Sequence, residues 1–348
     1  MNAVRHLLAV LALCAANGVA SGAEPLPVTI ADITFPDTYA QEQWLIFQRN
    51  IERAGGEDFA LKMLISGQLG SEEQLVSGLR RGRVQYASVS ALFASTMVPE
   101  AALLYGTYLF DSFAEADFIY DNYLTAVFTE MLAEQGLHFV AWNEVGFHHI
   151  YGKRPILSPD DVRGVRFRVS ASRASTLLAK ILKADVIPLG FGEIVTALQT
   201  GLIEAGENGA TLYATAGAAT EAPHLTLTRH AFGVSLIVSE KNWWDGLSDP
   251  QRATLTAAFP KPDEVRPMAR AETEQVLATA ARRGFTVHTL TDAQLTAWRD
   301  ATAGTAKTLA DEIGGRAPEV YAMILEGKRA FRAAQVSSEV TPSGSPTR

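Results

Sequence analysis

SPDDVRGVRFRVSASRASTLLAKILKADVIPLGFGEIVTALQTGLIEAGEN, residues 158–208, switches twice between the two hydrophobic rhythms of regular structure. Ser158-Pro159-Asp160 opens it with a short helical turn, and Val165 to Val169 reads as a strand. Leu177, Leu178, Ile181 and Leu182 fall on one face of a helix. Val186 to Leu189 returns as a strand, and Glu193 to Thr200 reads as a helix stopped by Gly201. A further strand runs from about Ile203 into Glu207-Asn208. Strands alternating with helices predict an α/β fold, in which groups at the carboxyl ends of the strands face whatever is bound.

The same rhythm holds on either side. Upstream, Val28 to Ile33 is a strand, followed by a helix from about Asp37 to Ala54 that ends at Gly55-Gly56, and Phe59 to Ile65 is a second strand. Ser71-Glu72-Glu73-Gln74 is a capping box, a hydroxyl at the first position and a Gln three residues on. Gly82 stops that helix, and Val84 to Val89 is again a strand. Downstream, a long helix is expected from about Asp263 to Arg283, then a strand at Phe285 to Leu290. A second capping box at Thr291 to Gln294 leads a helix carrying Leu295 and Trp298, and a last helix lies near Pro318 to Phe331. Trp243-Trp244-Asp245 reads as packing at the start of a helix. Residues 336–348, rich in Ser, Pro and Thr, are expected to be a disordered tail. No repeat and no linker separates two halves, so two domains would have to be interwoven by several crossings.

Composition narrows the classes. The chain has 348 residues, 47% of them apolar and 20% charged, which is enough for two cores and excludes a disordered chain. Its 30 basic and 38 acidic residues leave a net charge of −8, with no basic run, which argues against nucleic acid. No charge-free apolar stretch of about 18 residues interrupts the body of the chain. The first 23 residues read as a secretory signal peptide: Arg5 and His6, an apolar run from Leu7 to Ala16, and a small-residue cleavage site at Ser21-Gly22-Ala23. The single cysteine, Cys14, lies inside it, behind Leu13 where a lipoprotein would need a small residue. The mature chain would then hold no thiol, and a bacterial periplasm is the expected compartment.

Enzyme signatures fail. There is no G-x-S-x-G, H-E-x-x-H, P-loop or EF-hand loop, and Gly190-Phe191-Gly192 is only the first half of a dinucleotide fingerprint, so no cofactor is expected. His148 and His149 on a strand would point to opposite faces and could not share a metal. Arg166 and Arg168 share the face opposite Val165, Phe167 and Val169, with Arg168 nearer the carboxyl end. Arg meets a carboxylate with two parallel N–H bonds, whereas the competing reading is a solvated face with surface ion pairs. Asn208 could be a helix N-cap or could offer its amide to a ligand. Phe191, on a turn between two glycines, could cover an apolar ligand face or join the core.

The order of three segments, SGQLGSEEQLVSGLRRGRVQYASV (66–89), RPILSPDDVRGVRFRV (154–169) and PLGFGEIVTALQTGLIEAGEN (188–208), resembles the substrate-binding proteins of TRAP (tripartite ATP-independent periplasmic) transporters, including the dicarboxylate- and sialic-acid-binding type. LTLTRH (225–230) and KNWWDGLSDPQR (241–252) extend the likeness over roughly residues 26 to 332. The resemblance implies a two-domain α/β periplasmic binding protein, each domain a twisted mixed sheet flanked by helices, with the helix from about Asp263 bracing both. It implies domain I at 24–146 and 234–265 and domain II at 147–233 and 266–335. The family's selectivity arginine falls on Arg168, its asparagine on Asn208 and its cleft phenylalanine on Phe191. Where many members carry a second arginine, this chain reads Gly146-Phe147-His148, so a monocarboxylate, or a second polar group in place of a second charge, is expected beside His148. Ser66 stands at the family's usual proline, the next family segment reads Tyr105-Gly106-Thr107-Tyr108-Leu109-Phe110, and Ser88 and Ser90 are the first-domain candidates.

The expected function is capture of a small organic carboxylate between closing domains and delivery to the small and large membrane permease subunits, by a monomer. Two other readings were weighed. One is an extracytoplasmic receptor docking on a signalling partner, and the other an exported enzyme with His148 as general base, which would need a second catalytic group within reach.

Overall fold

The computed structural model describes residues 24–55 and 58–339. The expected signal peptide, 1–23, and residues 340–348 of the expected tail lie outside the described residues.

Nine strands build one mixed sheet: β1 (Leu26–Ala31), β2 (Phe59–Leu64), β3 (Tyr86–Ser90), β4 (Leu137–Gly152), β5 (Arg166–Val169), β6 (Asp185–Pro188), β7 (Ala205–Gly209), β8 (His224–Glu240) and β9 (Thr286–His288). Their order is β2-β1-β3-β8-β4-β7-β5-β6, with β9 beside β8. The first three strands run parallel, Leu26 opposite Phe59 and Ile30 opposite Tyr86, and β5 lies parallel to both β6 and β7. β1 buries residues on both faces, because helices cover both: Ala31 enters one core, Val28 and Ile30 another.

The two halves are joined by β4 and β8, of 16 and 17 residues, paired antiparallel along most of their length. One end of β8, Ser235 to Ser239, pairs with β3, while the far end of β4, His148 to Gly152, pairs with β7. Each half therefore takes part of its sheet from the same two strands. Around β7, β5 and β6 two further cores form, one holding Tyr151, Leu198 and Tyr213, the other Ile150, Phe167 and Val169.

Both expected capping boxes are present, Ser71 with Gln74 at helix Glu72–Arg80 and Thr291 with Gln294 at helix Asp292–Ala301. Trp244 is buried in helix Lys241–Gly246 and stacks on His138. At Ser66, φ is +60°, in the left-handed region that residues other than glycine seldom adopt.

Helix Pro262–Ala278 braces both halves. Its Glu272 Oε2 accepts from Tyr39 N at 2.7 Å, Arg270 pairs at 2.7 Å with both Asp117 and Glu144, and the Thr273 hydroxyl lies 3.3 Å from that of Thr211. The last helix, Ala317–Glu339, is longer than its sequence pattern suggests and carries residues 336–339 of the expected tail. The division drawn from sequence placed 266–335 in domain II. Leu309, Ala310, Val320 and Ile324 bury with Leu103 and Tyr120 of residues 24–146 and with Phe232 of residues 147–233, in a core to which both stretches contribute. Their apolar faces have a ready partner there in the helical segment Pro99–Tyr105.

No helix among the described residues is long and apolar enough to cross a membrane.

Candidate functional site

A cleft of about 420 Å³ opens where the carboxyl ends of β1 and β3 face those of β5, β6 and β7. Such an arrangement follows from parallel strands: their ends leave loops and helix starts converging on one crevice. One wall carries Asp32, Phe35, Tyr39, Glu72, Ser88 and Ser90; the other carries Arg168, Ser170, Phe191, Asn208 and Thr211. β4 and β8 add Asn143, His148 and Ser235 between them. All six residues singled out from the sequence, Arg168, Asn208, Phe191, His148, Ser88 and Ser90, line this one cleft.

Arg168 decides the character of the second wall. Phe167 and Val169 fill the core, which turns Arg168 the other way, whereas Arg166 on the same face lies at the exposed start of the strand. Arg168 is only 5% exposed, and its one hydrogen bond among the described residues runs from Nε to Leu189 O at 3.1 Å. No carboxylate of the described residues is in ion-pair contact with it. A buried guanidinium with free Nη groups at a cleft is an anion receptor, since the charge is already removed from water and still lacks a counter-charge. Asn208 stands beside it on β7. Its Oδ1 accepts from Gly209 N at 2.9 Å, and its amide N–H groups are left for the cleft. Gly209, not Asn208, takes the N-cap position of helix Ala210–Thr215. Phe191 meets Phe35 of the opposite wall edge-on, ring centroids 6.3 Å apart.

His148 lines the cleft and is also engaged within the protein. Its Nδ1 lies 2.6 Å from Glu207 Oε2, and Glu207 also accepts from Ser175 Oγ at 2.8 Å and approaches His230 Nε2 at 3.4 Å. Burial alone would push Glu207 up; His148 and His230 overcome it and hold the carboxyl well below the usual range. Burial lowers His230, with Glu207 partly offsetting it. His148 Nε2 is buried without a partner and packs against Gly233, where even a Cβ would come within 2.7 Å. His149 lies where the β4–β8 register shifts, and its Nδ1 accepts from Arg229 N at 3.2 Å. Burial, and then the charges of His230 and His148, drive its pKa well down.

The first wall is acidic, which the sequence reading did not find. Asp32 accepts from Trp44 Nε1 at 2.6 Å and from Thr34 N at 3.1 Å, and burial lifts its pKa to about 7. Glu72 accepts from Ser90 N at 2.5 Å and Ser90 Oγ at 3.1 Å; burial raises it, and Ser90 and the nearby Arg168 charge pull back. Tyr39 Oη donates to Asn143 Oδ1 at 2.8 Å. Glu72 was hidden inside a capping box and Glu207 beside the more conspicuous Asn208. Only the fold shows that both turn inward. No cluster of three or more metal-binding side chains occurs among the described residues.

Two lobes sharing their central strands, with a buried, uncompensated charge in the crevice between them, define a solute-binding protein. The chain belongs to the bacterial extracellular solute-binding proteins, family 7 (DctP), whose profile matches residues 31–312. It is 24% identical over 311 residues to the C4-dicarboxylate-binding periplasmic protein DctP of Rhodobacter capsulatus, covering 88% of this chain and 93% of that one. It is 27% identical over 252 residues to the 2,3-diketo-L-gulonate-binding periplasmic protein YiaO of Escherichia coli K12, covering 72% and 76%. The crystal structure of the sugar acid binding protein DctPAm from Advenella mimigardefordensis, in complex with galactonate, has the same fold, with a TM-score of 0.82 at 23% identity over 88% of this chain and 99% of that one. The TRAP resemblance and the two-domain α/β fold expected from sequence are therefore borne out.

Proposed function

We propose that the chain captures a small organic carboxylate in the periplasm and hands it to the small and large membrane subunits of a TRAP transporter, acting as a monomer and without catalysis. The observation that carries the ligand class is Arg168, sunk in the cleft wall with no carboxylate partner. The named ligands of its relatives, C4-dicarboxylates, 2,3-diketo-L-gulonate and galactonate, all carry at least one carboxylate, which fits a site built around one guanidinium. Asn208 supplies a neutral donor beside it, Phe191 covers the ligand from the side, and Ser88 and Ser90 complete the opposite wall.

Capture works by closure. The ligand favours the closed state only through contacts made to both walls at once, and the permease favours the open one. Catalysis is not supported by His148, whose Nδ1 is taken by Glu207 and whose Nε2 is packed against backbone, so it is not positioned as a general base.

A thermal-shift screen of small carboxylates tests the reading: ligand at 100 times its Kd adds about 2.7 kcal/mol of stability. Arg168→Ala should abolish the shift while the protein stays folded. Unchanged affinity in that variant, measured by titration calorimetry, overturns the assignment.

A further inference from the structure

We propose that the first wall of the cleft is a cation subsite, in which Glu72, backed by Asp32, receives the positively charged end of a zwitterionic acid whose carboxylate sits on Arg168, and that this wall excludes dicarboxylates. The inference rests on the carboxylate reading above and adds what lies at the other end of the ligand.

Charge placement carries it. Arg168 is the only Lys or Arg among the residues lining the cleft, and it belongs to the second wall. The wall opposite holds two carboxylates, Asp32 and Glu72, and no basic side chain. A second carboxylate reaching that wall would meet like charge in a confined, poorly hydrated space, where such repulsion is least screened. An ammonium or amidinium would meet the reverse.

Glu72 is also built as a receptor. Ser90 fixes both of its oxygens, through its backbone N–H and its hydroxyl, so the carboxylate is held in place before any ligand arrives. Each carboxylate oxygen has a second lone pair, so acceptor capacity remains. No Lys or Arg pairs with Glu72 or Asp32 among the described residues; their partners are neutral donors.

What lies between the charged ends favours a hydrocarbon body over a polyol. Ile33, Phe35, Leu92 and Phe93 line the first wall and Leu189 and Phe191 the second. A sugar acid would bring hydroxyls with few partners along these surfaces, at a cost for each buried without one. An alkyl chain buries well there.

The test is equilibrium titration of the full-length protein with three series matched in length from three to six carbons: alkanoates, ω-aminoalkanoates with their N-trimethyl forms, and α,ω-dicarboxylates. The tightest binder is expected in the amino series, at least tenfold ahead of the alkanoate and the dicarboxylate of equal length. In Glu72→Gln that preference over the dicarboxylate should shrink tenfold or invert, and Glu72→Asp, which keeps the charge, should restore part of it. A dicarboxylate as the tightest ligand, or a preference unchanged in Glu72→Gln, overturns the cation subsite and leaves the carboxylate reading standing. Binding by no member of any series overturns both.

Discussion

Replacing Arg168 by Met should move ligand binding and ligand-free stability in opposite directions. Binding loses the guanidinium of a desolvated charge pair, a change of about 2–5 kcal/mol, or roughly 30- to 4,000-fold in Kd. Without ligand the balance reverses. Arg168 is 5% exposed; its one hydrogen bond among the described residues, to Leu189 O, is worth about 1 kcal/mol, and the Glu72 charge across the cleft adds a share. Against this stands the burial of an uncompensated charge, which costs several kcal/mol before the open side of the cleft relieves part of it. Met keeps most of the stem and its packing without the charge. The net gain should be about 1 kcal/mol or more, and a chain of this size shifts roughly 1–2 °C in Tm per kcal/mol. Calorimetric melting of the ligand-free variant, paired with titration of the best acid from the screen, measures both. A variant that melts below the wild type, or that binds as tightly, refutes the claim that Arg168 is held in reserve for an anion.

Three further outcomes follow from the same geometry. Glu207→Gln takes the shared carboxylate away from His148 and His230 and should lower unfolding free energy by about 3–5 kcal/mol at neutral pH, read from urea midpoints; an unchanged midpoint would show that the cluster is not coupled. His149 has its pKa lowered in the fold, so between its folded value and about 6.5 the unfolded chain binds the extra proton and stability falls as pH falls. His149→Gln should flatten the stability profile below pH 6.5 by up to about 1.4 kcal/mol per pH unit relative to wild type; parallel profiles would remove this contribution. Gly206→Ala would place a Cβ 2.3 Å from Tyr151 Oη, and Tyr151 is buried and stacked on Tyr213, so a cost of about 1–3 kcal/mol is expected, and a variant melting like wild type would mean that the ring can move aside.

Much of this architecture could be read in advance because it is local. The capping boxes at Ser71 and Thr291, the stop at Gly82 and the short strands of residues 158–208 each announce themselves within a few residues. The two longest strands did not. β4 breaks its two-residue alternation three times, between Phe139 and Ala141, Glu144 and Gly146, and His148 and Ile150, so inward and outward positions swap along it. Burial on both sides of β8 blurs the pattern further. At the site, the strand pattern left Arg168 open to a solvated surface face, and the family resemblance singled it out. Asp32 and Glu72 were not legible, because an acid ending a strand or opening a helix is ordinary, and their inward aim depends on Trp44 and Ser90, contacts that only the folded chain makes. Which core the helices after residue 304 join is likewise not written in their pattern, because an amphipathic face does not name its partner.

The continuous β4–β8 ladder bears on how such a molecule opens. Lobes tethered by loops swivel freely, but lobes that share a hydrogen-bonded ribbon must flex it, and the ribbon resists like a leaf spring. Its pairing is irregular near Gly146 and Gly233, one of three places where the register shifts. The resting angle between the lobes is then an elastic property written into that ribbon, and each release of cargo returns the molecule to it without any outside source of work.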